Sequence, residues 1–335
     1  MLSIMGTGQS TFDPPRASRP IHHMPFFIEI NKQGTHYGIN DTSVFFLKIS
    51  DTSSSGLGPL RIFYYKLNNA DPESFVEIDD SKTYTTPGGG AYRLAYGYDK
   101  NRVYYESRTL EGADPATFEI MDCGYSKDAN NIYRFSDKKD NIDLETFTVI
   151  GNLHYPFAYD KNHVYFENSI VEGADPATFE MMALGYSKDA KHAYWCNVYK
   201  VIPINKADPK TFVVVENTDP WPTAFAYDKN HVYFENRIIE DANPKTFEVM
   251  GCGYSRDTNN VYRYSNKIRK ADPETFTVMK TANFAYDKNY LHFVGKKLKI
   301  DYKSFEVNLD KKIYQDENYS YTFFGNKIQR TKRKK

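Results

Sequence analysis

Disulfide potential, tryptophan and net charge are what this 335-residue chain has little of. Its three cysteines, Cys123, Cys196 and Cys252, are an odd and sparse set, too few for a disulfide framework. Lys plus Arg and Asp plus Glu both number 43, so the formal net charge is zero. That balance gives no bulk attraction to nucleic acid or to an anionic membrane. No segment approaches the run of about 18 apolar residues that a membrane-spanning helix needs. The first 24 residues contain no apolar core of signal-peptide length, so the default location is the cytoplasm. Nucleophile-elbow, zinc-helix and paired-cysteine motifs (G-x-S-x-G, H-E-x-x-H, C-x-x-C) do not occur. The Gly-rich stretch "TPGGGAYR" (86–93) lacks the Lys-Ser/Thr of a phosphate loop and is expected to be a connector. The expectation is a protein with no enzymatic activity and no cofactor.

Aromatic residues are abundant instead. There are 28 Tyr and 23 Phe, in a chain whose mean hydropathy is only −0.65. A core made of many short segments, each giving one or two rings, reconciles the two values. Tyrosine-rich segments favour strands over helices. The class expected is all-β.

The chain also repeats itself. "FAYDKNHVYFEN" stands at 157–168 and again at 225–236. The Asp of "YDKN" falls at Asp99, Asp160, Asp228 and Asp287. A second version, "GYSKD" or "GYSRD", places it at Asp128, Asp189 and Asp257. Asp316 and Asn40 extend the series at its two ends. Successive spacings are 59, 29, 32, 29, 39, 29, 30 and 29, so the unit is about 29 residues, and the 59 is expected to hide a degenerate copy. A second landmark, the Phe of "ADPxTF" (Phe118, Phe147, Phe179, Phe212, Phe247, Phe276, Phe305), follows the Asp by 19 residues in most copies. The two versions alternate from Asp99 to Asp257, so the structural period is expected to be a pair of units.

Within a unit, "FAYD" is a short apolar strand and "DKN" a turn, where Asp bonds the backbone and Asn162 is expected to hold positive φ. "HVYFEN" alternates, with rings on both faces, so this strand is expected to be covered on both sides. "SIVEG" is a third strand. "ADPATF" is expected to form one helical turn, with Asp175 at the N-cap and Pro176 at the first helical position. A single unit buries too few large side chains to offset the ordering of 29 residues, so copies must stack on one another. The architecture expected is an elongated or curved array of three-stranded units, with a closed propeller-like ring as the alternative. Residues 1–24 are expected to be a disordered leader, a tag or an over-long start, with Met1, Met5 or Met24 as the true beginning. Residues 25–330 form the repeat domain of about eight to nine units, and 331–335 belong to a basic, frayed tail.

The recurring "YDKN-x-VYF" with its downstream "DPxTF" resembles the DKNYY repeat family of bacterial proteins, over about residues 37–325. The family supplies no catalytic residues to carry over. The resemblance implies a setting among secreted toxins and their immunity proteins. Asn40, in place of the Asp, departs from the pattern.

Repeated residues suit architecture better than catalysis, which needs unlike groups brought together once. The anchors Asp99, Asp128, Asp160, Asp189, Asp228, Asp257 and Asp287 are therefore assigned to turns. His163, His192 and His231 share one position, but Arg102, Asn131, Asn260 and Tyr290 replace them elsewhere, which breaks any metal ladder. "SKDANNIY" and "SRDTNNVY" lack the Gly and the bidentate Glu of a calcium loop. Cys123 and Cys252 share their position with Leu184, which marks a small apolar site. Function is expected where the rhythm breaks: at 51–60, at 86–93, and at 195–206 together with 216–223. The last of these holds both tryptophans, so Trp195, Tyr199 and Trp221 are the candidate partner-binding residues. The reading is a non-enzymatic protein-binding repeat protein, of the immunity type that neutralises a toxin. A glycan- or cell-surface-binding repeat protein is the alternative, and it requires an exposed ring in each repeat.

If the landmark Phe is core, Phe179→Ala should cost roughly 3–5 kcal/mol in a denaturant melt. An unchanged midpoint would remove it from the core.

Overall fold

The structure is a computed structural model, and it describes residues 36–51, 60–78, 84–85, 91–92, 94–152, 154–197, 199–216, 223–279, 284–298, 303–308, 313–324 and 327–333. The expected leader, Trp221, and most of 51–60, 86–93 and 216–223 lie outside these residues. Contacts divide the chain into two compact units, Met1–Val171 and Glu172–Lys335.

The fold is all-β, with no α-helix among the described residues. The strands form small antiparallel meanders, numbered here in chain order: sheet 1 (37–66), sheet 2 (76–109), sheet 3 (119–139), sheet 4 (148–170), sheet 5 (180–203), sheet 6 (213–238), sheet 7 (248–267), sheet 8 (277–298) and sheet 9 (306–332). Among the described residues, sheet 1 has three strands and each of the others has four. All are open, and none of the described strands closes a barrel. Sheet 4 shows the pattern. Thr148–Val149 pairs with Phe157–Tyr159, which pairs with Val164–Phe166, which pairs with Ser169–Ile170. The three expected strands are present. The fourth is the segment just after "DPxTF", which crosses over to begin the next sheet. Val164, Tyr165 and Phe166 are all buried, so the "VYF" strand is covered on both faces as its pattern predicts.

The "DPxTF" segment is a turn and not a helix. Asp175 O accepts the Thr178 N–H at 3.2 Å, and the Asp175 carboxylate accepts the Ala177 N–H and the Thr178 hydroxyl. One hydrogen-bonded turn is too short to propagate, and a residue before proline is steered away from helical angles. The chain passes directly into the next strand, Glu180–Met181. Asn162 is a second correction, because it is absent from the positive-φ positions. Positive φ falls instead on the hairpin between the last two strands, at Glu106, Phe135, Glu167, Glu235, Tyr264 and Val294. It also falls on Cys123, Leu184 and Cys252, one repeat position that shares a backbone conformation as well as apolar character. The expected frayed tail is a third correction. Lys327–Lys332 forms the last strand, paired along its length with Tyr319–Phe324.

The 59-residue interval between Asn40 and Asp99 holds two insertions. One lengthens the hairpin of sheet 1, Ser43–Asp51 with Leu60–Lys66. The other is an excursion between the first two strands of sheet 2, which contains the short pair Tyr84–Thr85 and Ala91–Tyr92.

Within each unit the landmark Phe staples one sheet to the next. Phe147 packs edge-on against Tyr125 of sheet 3, at 5.3 Å between centroids, and lies 6.2 Å from Tyr165 of sheet 4. Phe212 sits in the same way between Tyr186 and Tyr233, and Phe276 between Tyr254 and His292. The ring needs a small residue beneath it. A Cβ on Gly97 would lie 2.4 Å from Phe75 Cζ. The equivalent positions hold Ser126, Ala158, Ser187, Ala226, Ser255 and Ala285, each opposite the central ring of the next strand.

The anchor Asp is the polar counterpart of this staple. Asp160 is fully buried. Its Oδ1 accepts the N–H groups of Asn162 and His163, both at 2.8 Å. Its Oδ2 accepts the Asp143 N–H from the preceding "DLETF" turn and the Tyr165 hydroxyl, both at 2.8 Å. Three of the four donors are backbone N–H groups, which can only donate, so an Asn amide could not replace the carboxylate. Burial pushes the Asp160 carboxyl up, but these hydrogen bonds outweigh it and hold the group below its usual range. The same set of contacts surrounds Asp99, Asp128, Asp189, Asp228 and Asp257.

The two sequence versions differ around this anchor. Lys100, Lys161, Lys229 and Lys288 pair with the turn carboxylates Asp71, Asp143, Asp208 and Asp272. The other version has Ala129, Ala190 or Thr258 at that place. In sheets 3 and 7, Arg134 and Arg263 are buried over the rings of Tyr125 and Tyr254, where sheets 4 and 6 have Phe166 and Phe234.

Tyr165→Phe removes one donor to a buried charge and should cost about 1.5–3 kcal/mol in a denaturant melt, with the secondary structure retained. A loss below about 0.5 kcal/mol would show that the hydroxyl is dispensable to the network.

Candidate functional site

The repeat rhythm breaks most visibly, among the described residues, in sheet 5. In sheets 2, 3, 4, 6, 7 and 8 the last two strands are joined by a two-residue turn, as at Phe166↔Ser169. In sheet 5, Ala193–Cys196 and Val201–Pro203 pair as Tyr194↔Pro203, Trp195↔Ile202 and Cys196↔Val201, so the hairpin reaches further before it reverses. This extension explains why Phe212 follows Asp189 by 23 residues instead of 19.

The tip is held by a copy of the anchor turn. Asn197 Oδ1 accepts the N–H groups of Tyr199 and Lys200, both at 2.9 Å, and the Asn197 N–H donates to Lys200 O at 3.1 Å. Asp160 makes the same three bonds in its own turn. At the tip an Asn suffices, because only two donors meet the side chain and solvent reaches it. This hydrogen-bonded reversal presents Tyr199, which is 84% exposed, the most exposed large apolar side chain among the described residues.

Trp195 lies lower on the same hairpin and has a different role. It pairs with Tyr186, as Phe234 pairs with Phe225 in the next sheet. It is half-buried against the cluster of Tyr186, Ala193, Ile204 and Phe212. Trp195 therefore occupies the ring position of the repeat, and the hairpin tip carries Tyr199 beyond it. Trp221 lies outside the described residues, so the three candidates cannot be assembled into one patch. The regular Asp spacing hid the tip turn, although "NVYK" after "AYWC" is a faint echo of "DKNH".

The other sequence candidates are committed to the fold. The anchor carboxylates are saturated by donors, as described above. His163, His192 and His231 each donate a backbone N–H to the anchor of their own turn. Cys123 and Cys196 are buried and Cys252 is half-buried, and none forms a disulfide.

Tandem small antiparallel sheets, joined within each unit by staple rings and buried carboxylates, define an all-β repeat protein. The DKNYY family model matches the chain three times, over residues 29–137, 60–198 and 186–327. The chain belongs to the DKNYY family. No curated protein and no solved structure matches it. No helix among the described residues is long and apolar enough to cross a membrane.

Trp195→Ala should destabilise the protein by roughly 3–5 kcal/mol, whereas Tyr199→Ala should stay within about 0.5 kcal/mol of wild type in thermal or denaturant melts. Equal losses would mean that the tip ring packs on the fold.

Proposed function

We propose that this protein is a non-enzymatic binding module whose extended sheet-5 hairpin presents Tyr199 to a protein partner. The observation that carries the reading is the pairing of a rigid tip with an exposed ring. The reversal is fixed by the Asn197 bonds, so little order must be acquired on binding. Tyrosine is a favoured anchor of protein interfaces, because its ring is large and its hydroxyl can bond. The repeated aromatic rings point inward and staple the sheets, so they do not supply the ring in each repeat that a sugar platform requires. This favours a protein partner over a glycan.

The setting we propose is that of a cytoplasmic immunity-type protein that neutralises a toxin. The zero net charge supports a partner other than nucleic acid. The anchor carboxylates are each engaged by several donors, which supports a binding role over a catalytic one.

The test is affinity capture from the native cytosol with wild type and Tyr199→Ala in parallel. A stoichiometric protein partner should be retained by wild type and weakened about thirtyfold, or about 2 kcal/mol, by Tyr199→Ala at unchanged melting temperature. A partner held equally by both variants would sink the hairpin assignment. The absence of any partner would sink the protein-binding reading.

A further inference from the structure

Seven anchor networks close on a tyrosine hydroxyl: Tyr104, Tyr133, Tyr165, Tyr194, Tyr233, Tyr262 and Tyr321. Sheet 8 closes on a histidine. His292 and Asp287 are both fully buried, and His292 Nε2 lies 3.0 Å from Asp287 Oδ2. A neutral imidazole donating Nε2–H does the work of the hydroxyl. That tautomer leaves Nδ1 as a lone pair, and Nδ1 is buried without a hydrogen-bond partner.

A second proton would create a buried N–H at Nδ1 with no acceptor. The groups around the ring also disfavour added charge. Lys297 stands directly opposite His292 in the sheet register. The Tyr290 ring lies 6.4 Å away, and the Phe276 ring covers the imidazole at 5.3 Å. On the preceding sheet, the Tyr254 hydroxyl accepts the Gly295 N–H, and the Arg263 stem borders Gly295. Asp287 pulls the other way. Its charge, however, is already shared by the N–H groups of Asn289, Tyr290 and Asp272, and the Asp272 carboxylate is paired with Lys288. Burial outweighs Asp287 and holds the imidazole below its ordinary value.

We propose that His292 makes sheet 8 an acid-responsive latch, which loosens in mild acid while the tyrosine-closed sheets hold. The sign follows from linkage. The unfolded imidazole takes up its proton near pH ~6.5 and the folded one at lower pH. The stabilising effect is complete above the unfolded value and is lost as pH falls from there through the folded value. The Asp160 and Asp287 carboxylates are held low, and they lose their contribution only as pH falls below their ordinary value of about 3.9, well separated from the histidine window.

The test is hydrogen exchange on the purified full chain from pH 7.5 to 5.5, corrected for the intrinsic rate, comparing residues 284–298 with 125–134. In wild type, opening of sheet 8 should increase by up to about tenfold per pH unit below ~6.5, while sheet 3 stays flat. His292→Tyr should flatten sheet 8 as well. Equal pH slopes in wild type and His292→Tyr would overturn the proposal. Tyr262→His decides the question independently, including the case in which His292→Tyr fails to fold. Acid sensitivity should then appear at 254–263, and no change there would overturn the latch.

Discussion

A buried carboxylate that must be met by four donors is the constraint on which the rest of this structure depends. Asp160 cannot enter the interior uncompensated, because an unpaired buried charge is prohibitively costly. Its partners are therefore obligatory: two N–H groups of its own turn, one from the preceding "DPxTF" turn, and a ring hydroxyl five residues on. Satisfying one side chain fixes the turn, the register of the hairpin and the entry of the previous connection. Sheet 1 shows what happens without it. Among the described residues the Asn40 side chain accepts only from Thr42, and Phe45 stands where the tyrosine would be. That copy has a lengthened hairpin.

The carboxylate sets the geometry within a sheet, and the landmark Phe sets it between sheets. Phe147 touches rings on both sides of a junction, so neither sheet can bury its aromatic face without the other. This is why a 29-residue copy does not stand alone and why the small residue opposite the network ring is confined to Gly, Ala or Ser in sheets 2–8. The serines carry a cost, since the hydroxyls of Ser126, Ser187 and Ser255 are buried without a hydrogen-bond partner.

An architecture this repetitive leaves function to its exceptions. The sheet-5 hairpin departs from the pattern by extension and points a ring outward. Sheet 8 departs by a single substitution, a histidine within a network otherwise closed by tyrosine. Both use the same turn and carboxylate chemistry as the regular copies, which is how they are accommodated without loss of the fold.

Much of the fold was legible in the residues. Two landmarks at constant spacing identified the repeat, and alternation in "HVYFEN" marked a strand covered on both faces. The reason is that these features are local: a turn Asp and a period of two act within a few residues. What crosses between copies was not legible. The strand after "DPxTF" joins the following sheet, and the Asp143 N–H reaches Asp160 across 17 residues. The "DPxTF" segment looked helical because capping residues serve a tight turn and a helix start alike, and only its tertiary bonds separate the two. Trp195 and Tyr199 were both candidates in the sequence. Strand register decided between them, by pairing Trp195 with Tyr186 and leaving Tyr199 exposed at a tip.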